Sequence, residues 1–251
     1  LSSSSAASDV YKRQVVLFSV SYFSYWRGGI SIKEVFSDII VEAPLGSRTK
    51  LTLPDGTLVW LNAGSRITYS QGFGVGNRKI ELIGEGYFEV KRNEEVPFLV
   101  KTNSLLVKVL GTKFNFRDYP DDAEAIVSLS EGKVALNNLL KKEKEAFLLP
   151  NERVVLNKKN GRMHVEYSTV SNALQWTNGY LFFDEELLPD VVKELERSYN
   201  VKIQIASDTL NTFRFYGNFV HREQNIQEVL EALSATRKIH YIIEGHNITL
   251  Y

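Results

Sequence analysis

Apolar and polar residues alternate along much of this chain, and the alternation changes period twice. From Glu42 to Asn138, apolar side chains recur at every second position in TKLTL and VSLSEGKVAL, and in LLVKVLGTKFNF on either side of Gly111. A period of two buries one face of a strand and leaves the other wet. Breaks at Gly46, Gly56, Gly64, Gly72 to Gly76, Gly84 to Gly86, Gly111 and Gly132 punctuate these runs at nearly regular spacing. The pattern predicts a mainly β unit, a Gly-punctuated β-sandwich, barrel or irregular β-solenoid. Within it, TLPDGTLVWLNAGSRITY (Thr52 to Tyr69) reads as scaffold: a Pro-Asp-Gly turn, a core strand and a second turn from Asn62 to Ser65.

Asn137 to Arg153 interrupts the rhythm with a charge run and a proline, and reads as a solvated connector. ERVVLN and RMHVEY then flank Lys158-Lys159-Asn160-Gly161, whose Asn-Gly predicts a hairpin with a type I′ turn. Beyond Asn172 the period lengthens. Leu187, Leu188, Val191, Val192 and Leu195 fall at helical spacing, as do Ile226, Val229, Leu230 and Leu233. Strand-like VKIQIA, FRFYGNFV and a closing hairpin across Gly245-His246 surround them, with Gly first as a II′ turn requires. The order βαβ then βαββ predicts a small α/β domain, so the whole chain is mainly β plus α+β.

The N-terminal part reads differently. Residues 1–14 form a Ser/Ala-rich, non-native-looking tail that is set aside. Residues 15–26, VVLFSVSYFSYW, are apolar and end in aromatics of the kind found at a membrane interface. A dozen helical residues cover roughly 18 Å of an apolar layer about 30 Å thick, which makes this a partial transmembrane helix. The expected layout is then a juxtamembrane linker at 27–41, the β domain at 42–170 and the α/β domain at 171–251.

Composition narrows the chemistry. Thirty basic and thirty acidic residues cancel in a chain of 251, so no bulk field favours nucleic acid. The absence of cysteine removes disulfides and thiolate chemistry, and four histidines supply no spaced metal set. No cofactor is expected. Glu81, Glu85 and Glu89 share one strand face, but residues four apart on a strand lie about 13 Å apart, too far for a glycosidase pair. They read as a solvated face. DYPDD (Asp118, Asp121, Asp122) lacks calcium-loop order, and GFGVGN lacks the strand and helix of a phosphate loop. Gly111-Thr112 remains, because a Thr hydroxyl can attack the preceding carbonyl in a held backbone; a simple Gly kink in a strand explains the pair as well.

Taken in order, APLGSRTKLTLPDGTLVWLNAGSRITY, GEGYFEV, PFLVKT, VKVLGTKFNF and VSLSEGKVAL resemble the periplasmic region of FecR-type anti-sigma factors, from about Val41 to Asn138. WTNGYLFFDEELLPDVVKELERSYNVKI and the remaining residues to Tyr251 resemble the C-terminal domain often attached to them, similar to the short N-terminal domain of secretins and TonB-dependent receptors. The resemblance implies a single-pass inner-membrane protein with this region in the periplasm. It would bind the signalling domain of an outer-membrane TonB-dependent receptor and reach a sigma factor through a cytoplasmic segment not contained in these residues. Regulated proteolysis is the implied output, and the family motif marks Gly111 and Thr112 as a self-cleavage candidate.

No other catalytic residues are expected. Partner-binding candidates are Phe213, Phe215, Tyr216, Phe219, Tyr241 and Ile243, on segments that could add to a partner's sheet if they lie at edges. The competing reading is a secreted carbohydrate-binding β module with Trp60, Trp176 and Tyr180 as sugar platforms.

Overall fold

The computed structural model describes residues 13–26, 37–169 and 174–251. The expected tail (through residue 12), most of the linker (27–36) and the start of the second domain (171–173) lie outside the described residues. Residues 13–26 form a helix, α1, with its large apolar side chains exposed. At ~1.5 Å per residue it is roughly 21 Å long. No helix among the described residues is long and apolar enough to cross a membrane.

Strands dominate from Asp38 to Tyr167. They are β1 (Asp38–Ala43), β2 (Thr49–Thr52), β3 (Leu58–Leu61), β4 (Ser65–Ser70), β5 (Arg78–Glu89), β6 (Phe98–Lys101) and β7 (Leu105–Val109). Next come β8 (Lys113–Asp118), β9 (Glu124–Glu131), β10 (Val134–Asn138), β11 (Ala146–Leu148), β12 (Glu152–Asn157) and β13 (Met163–Tyr167). All thirteen belong to one sheet, and β5 is its hinge. Arg78 to Ile83 of β5 pair with β4 and β6, whereas Gly84 to Glu89 pair with β3 and β8.

The change of partner happens at Gly84. Its φ is +96°, and a Cβ there would lie 2.5 Å from Ser65 Oγ. Only glycine tolerates both conditions cheaply. Ser65 Oγ fills that space and accepts a hydrogen bond from the Glu85 N–H at 2.8 Å. The Asn62-to-Ser65 turn therefore does more than reverse the chain: it carries the backbone from β3 to β4 beside the point where β5 crosses over. Between the halves lies an apolar core with Phe88, Phe98, Phe114 and Phe116 fully buried, and the Phe88 and Phe114 rings stack at 5.0 Å.

After a short 3-10 helix (Gln175–Asn178) come β14 (Tyr180–Leu187), α2 (Leu188–Tyr199), β15 (Lys202–Ile205), β16 (Arg214–Val220), α3 (Ile226–Ser234), β17 (Tyr241–Glu244) and β18 (Asn247–Leu250). The expected βαβ then βαββ order is present. β14 and β16 form an antiparallel pair, and β15, β18 and β17 form a second sheet with β18 in the middle. A second core joins Leu188, Val191, Val192 and Leu195 of α2 to Val229, Leu230 and Leu233 of α3 and to the strands. α3 opens with a capping box in which Asn225 and Glu228 satisfy each other's backbone N–H groups. α2 closes on Asn200 in the left-handed conformation, φ 53°.

Four local expectations need correction. The linker expected through residue 41 overlaps β1, which begins at Asp38. The solvated connector contains an edge strand, β11, held by β10. The Asn-Gly hairpin is not type I′, because Gly161 (φ 66°) takes the left-handed conformation while Asn160 does not. Its loop spans four residues, closed by the Asn157 N–H donating to Arg162 O at 2.9 Å. The fourth correction concerns Glu85, which is buried.

Candidate functional site

The mainly β part and the C-terminal part meet through a buried layer of charge. Glu81 is exposed and Glu89 half-buried, as a solvated strand face requires, but Glu85 between them is only 6% exposed. It accepts hydrogen bonds from Asn62 Nδ2 and Asn115 Nδ2, each at 2.8 Å. Asn115 in turn accepts from Trp176 Nε1 at 3.2 Å, which anchors the entry of the C-terminal part to β8. α2 covers this face with a polar stripe, Glu194, Arg197 and Ser198, one helical turn in extent and displaced from its apolar face.

Three guanidinium groups and three carboxylates face one another across this seam. Arg197 donates to Asp122 Oδ1 at 3.0 Å, and Arg117 donates to Asp122 Oδ2 at 2.8 Å. Arg197 also reaches Glu194 at 3.4 Å and lies 3.9 Å over the Tyr119 ring. The Tyr119 hydroxyl donates to Ala63 O at 2.9 Å, and Arg48 donates to Asn62 Oδ1 at 3.0 Å. The backbone joins in where Gly46 N–H donates to Arg197 O at 2.8 Å.

Burial is the largest influence on Glu85, Asp122 and Tyr119. It pushes the Glu85 carboxyl above the usual carboxylate range, with Glu194 adding to the rise while Arg117 and the two amides oppose it. For Asp122 burial also pushes upward, but Arg117 and Arg197 outweigh it and hold the group below its ordinary value. Burial and the two glutamates raise the Tyr119 phenol well above normal. Arrayed this way, the groups can hold two rigid parts in one relative setting. Among the described residues no group of three or more His, Asp or Glu side chains is placed to share a metal ion.

The candidates expected from the sequence lie elsewhere. Thr112 is buried and its hydroxyl donates to Lys133 O at 3.2 Å. A Cβ on Gly111 would come within 2.7 Å of the Arg92 Cβ, so the close approach of the segment after β5 accounts for the glycine, and its φ lies outside the left-handed region. Among the described residues β16 pairs only with β14, and β17 only with β18, so each has an edge without a strand partner there. β18, between β15 and β17, is central and offers none. Phe215 and Phe219 are buried core, and Phe213 and Tyr241 pack against it. Tyr216 and Ile243 are exposed, together with Ile242. The possible sugar platforms are not an open row: Trp176 is buried, and Trp60 packs on Tyr87 with Lys50 Nζ 4.5 Å over its ring.

Sequence reasoning missed Asn62, Arg117, Asp122, Glu194 and Arg197. The i, i+3, i+4 polar stripe on α2 was visible, but it has the same signature as a solvated helix face.

Comparison with known proteins places these features. Residues 40–135 match the family described as FecR protein, and residues 180–250 match FecR, C-terminal. Two crystal structures of a candidate anti-sigma factor from Parabacteroides distasonis are 33% identical in sequence, each with a TM-score of 0.78. One alignment covers 85% of this chain and 98% of the other, and the second covers 86% and 99%. No curated protein sequence matches. Both halves of this chain match those of FecR-type anti-sigma factors, and the chain belongs to the FecR family.

Proposed function

We propose that this chain is the sensor and signal-transducing region of an anti-sigma factor, relaying occupancy of a TonB-dependent receptor to an extracytoplasmic-function sigma factor. The region would sit in the periplasm of a Gram-negative bacterium, anchored to the inner membrane by a single span of which α1 is a part. Sigma binding would fall to a cytoplasmic segment outside these residues. The two halves of the sheet, joined at β5, are read as the leaves of a sandwich rather than the coils of a solenoid. Its role is that of a binding module with a conformational output, not of an enzyme acting on substrates.

The observation that supports this reading most is the buried polar seam, together with two strands, β16 and β17, that each keep an edge unpaired among the described residues. A partner strand added to β16 or β17 gains main-chain hydrogen bonds, and Tyr216 and Ile243 supply side-chain contacts. A displacement of β16 would reach α2, which packs against it, and through Arg197 and Glu194 would reach Asp122 and Asn62. Titrating the purified signalling domain of the cognate receptor into this chain tests the reading. Saturable binding is expected, and no binding at high micromolar concentration would sink the partner assignment.

Regulated proteolysis belongs to the same reading, with Gly111-Thr112 as the self-cleavage candidate. The Thr112 hydroxyl oxygen would attack the Gly111 carbonyl carbon, forming an ester as the Gly111–Thr112 amide C–N bond breaks and the hydroxyl proton passes to the freed amine. Water would then hydrolyse the ester to a Gly111 carboxylate. Two fragments on a denaturing gel are expected for the parent chain and one band for Thr112→Ala. A parent chain that stays whole for days removes self-cleavage from the scheme.

A further inference from the structure

Arg48 also lines an open cleft of about 370 Å³ together with Lys50, Trp60, Trp176, His221 and Arg222 among others, and no Asp or Glu among the described residues is in its walls. This is a local excess of positive charge in a chain whose net charge is zero. Arg48 spends its Nε on the neutral amide of Asn62, and its Nη2 is buried without a hydrogen-bond partner. Burial lowers the Arg48 pKa despite the fields of Glu194 and Glu85, as expected of a cation short of compensation. Lys50 and Arg222 are exposed and have no carboxylate within ion-pair distance among the described residues.

The cleft is bordered by a free main-chain edge. Thr49 and Lys50 in its wall belong to β2, which among the described residues pairs with β3 alone. An unpaired edge next to three cations and two indoles suits an extended chain bearing carboxylates better than a small ion, which would fill only a fraction of the volume.

We propose that this cleft is a docking site for an acidic, extended peptide segment of a partner protein. The segment would lie along β2, with one carboxylate on Arg48 and others on Lys50 and Arg222. The cleft meets β16 only at the His221-Arg222 turn that follows it and does not use the unpaired edges of β16 and β17, so it goes beyond the receptor contact proposed above and does not depend on it. An occupant would bridge β2 of the mainly β part to the His221-Arg222 turn of the C-terminal part, clamping the seam between them.

Isothermal titration of the full chain with a blocked hexaglutamate peptide at low ionic strength tests this. Saturable binding is expected, weakening with added salt as exposed charges are screened. Lys50→Glu and Arg222→Glu, both at exposed positions, should each weaken it about tenfold or more. Arg48→Gln should do the same, but the two surface variants decide the matter if that protein folds poorly. A hexaglutamate carrying alternate backbone N-methyl groups should bind more weakly, since it cannot pair with the β2 edge. The proposal is overturned if hexaglutamate does not bind, if the surface variants bind it as well as the parent, or if the methylated peptide binds equally. Competition by inorganic phosphate at equal affinity would also overturn it, as marking a simple oxyanion site.

Discussion

Glu85 on β5 and Glu194 on α2 share one side-chain amide: Asn62 Nδ2 donates to Glu85 Oε2 at 2.8 Å and reaches Glu194 Oε1 at 3.5 Å. Two carboxylates converging on a single neutral group, in a layer that also holds three guanidiniums, make the seam sensitive to protonation and to the loss of any one member.

Glu85 should make stability fall as pH rises. Its carboxyl is raised in the folded protein, so the folded state binds the proton more tightly than the unfolded chain. The stabilisation is complete below the ordinary carboxylate value and is lost as pH climbs through the raised folded value. Glu85→Gln mimics the neutral form and should flatten that descent, gaining on the parent as pH rises. Urea denaturation from acid to neutral pH measures this, and parallel curves for the two proteins would refute it.

Asp122 should show the opposite limb. Its carboxyl is held low by Arg117 and Arg197 against the effect of burial, so its contribution is present above the ordinary value and lost as pH falls through the depressed one. Arg197→Ala would leave Asp122 short of a partner and should cost about 3–5 kcal/mol, the usual result of breaking a buried pair. A double-mutant cycle with Asp122→Ala should return a coupling well outside the error of additive changes.

Gly84 can be compared with Gly56, since both have similar positive φ values, +96° and +86°. A Cβ at Gly56 meets nothing within 4 Å, whereas one at Gly84 collides with Ser65. Gly56→Ala should cost about 1–2 kcal/mol for the backbone alone. Gly84→Ala should cost clearly more and loosen the β4–β5 corner. Equal losses in urea midpoints would show that the Ser65 contact is unimportant.

The six partner candidates should divide by burial. Phe215→Ala and Phe219→Ala remove core rings and should destabilise by about 3–5 kcal/mol. Tyr216→Ala and Ile243→Lys lie on exposed positions and should leave stability within roughly 0.5 kcal/mol. If β16 and β17 receive the receptor's signalling domain, those two substitutions should weaken its binding without lowering the thermal midpoint. Unchanged binding would move the contact elsewhere.

Much of this architecture was legible in the sequence because it depends on local periodicity. Alternation placed the strands, the i, i+3, i+4 apolar spacing placed α2 and α3, and Gly245 marked the closing two-residue turn, with Glu244 opposite Asn247. These signals are written residue by residue, and backbone geometry alone converts them into elements. The ordered motifs in both halves were also enough to suggest the FecR family.

Tertiary structure decided what lies on the polar faces. Parity correctly put Glu81, Glu85 and Glu89 on one side of β5, but parity cannot say whether water or another part of the chain covers that side. The crossing at Gly84 turns Glu85 toward α2, while Glu81 stays exposed. Likewise, Glu194 and Arg197 have the spacing of a solvated helix face until β5 and the Asp122 loop close over them. Asn62, apparently a turn residue, becomes the common donor of the seam. A charged residue's role depends on which distant segment replaces its water, and that is set only when the two cores pack together.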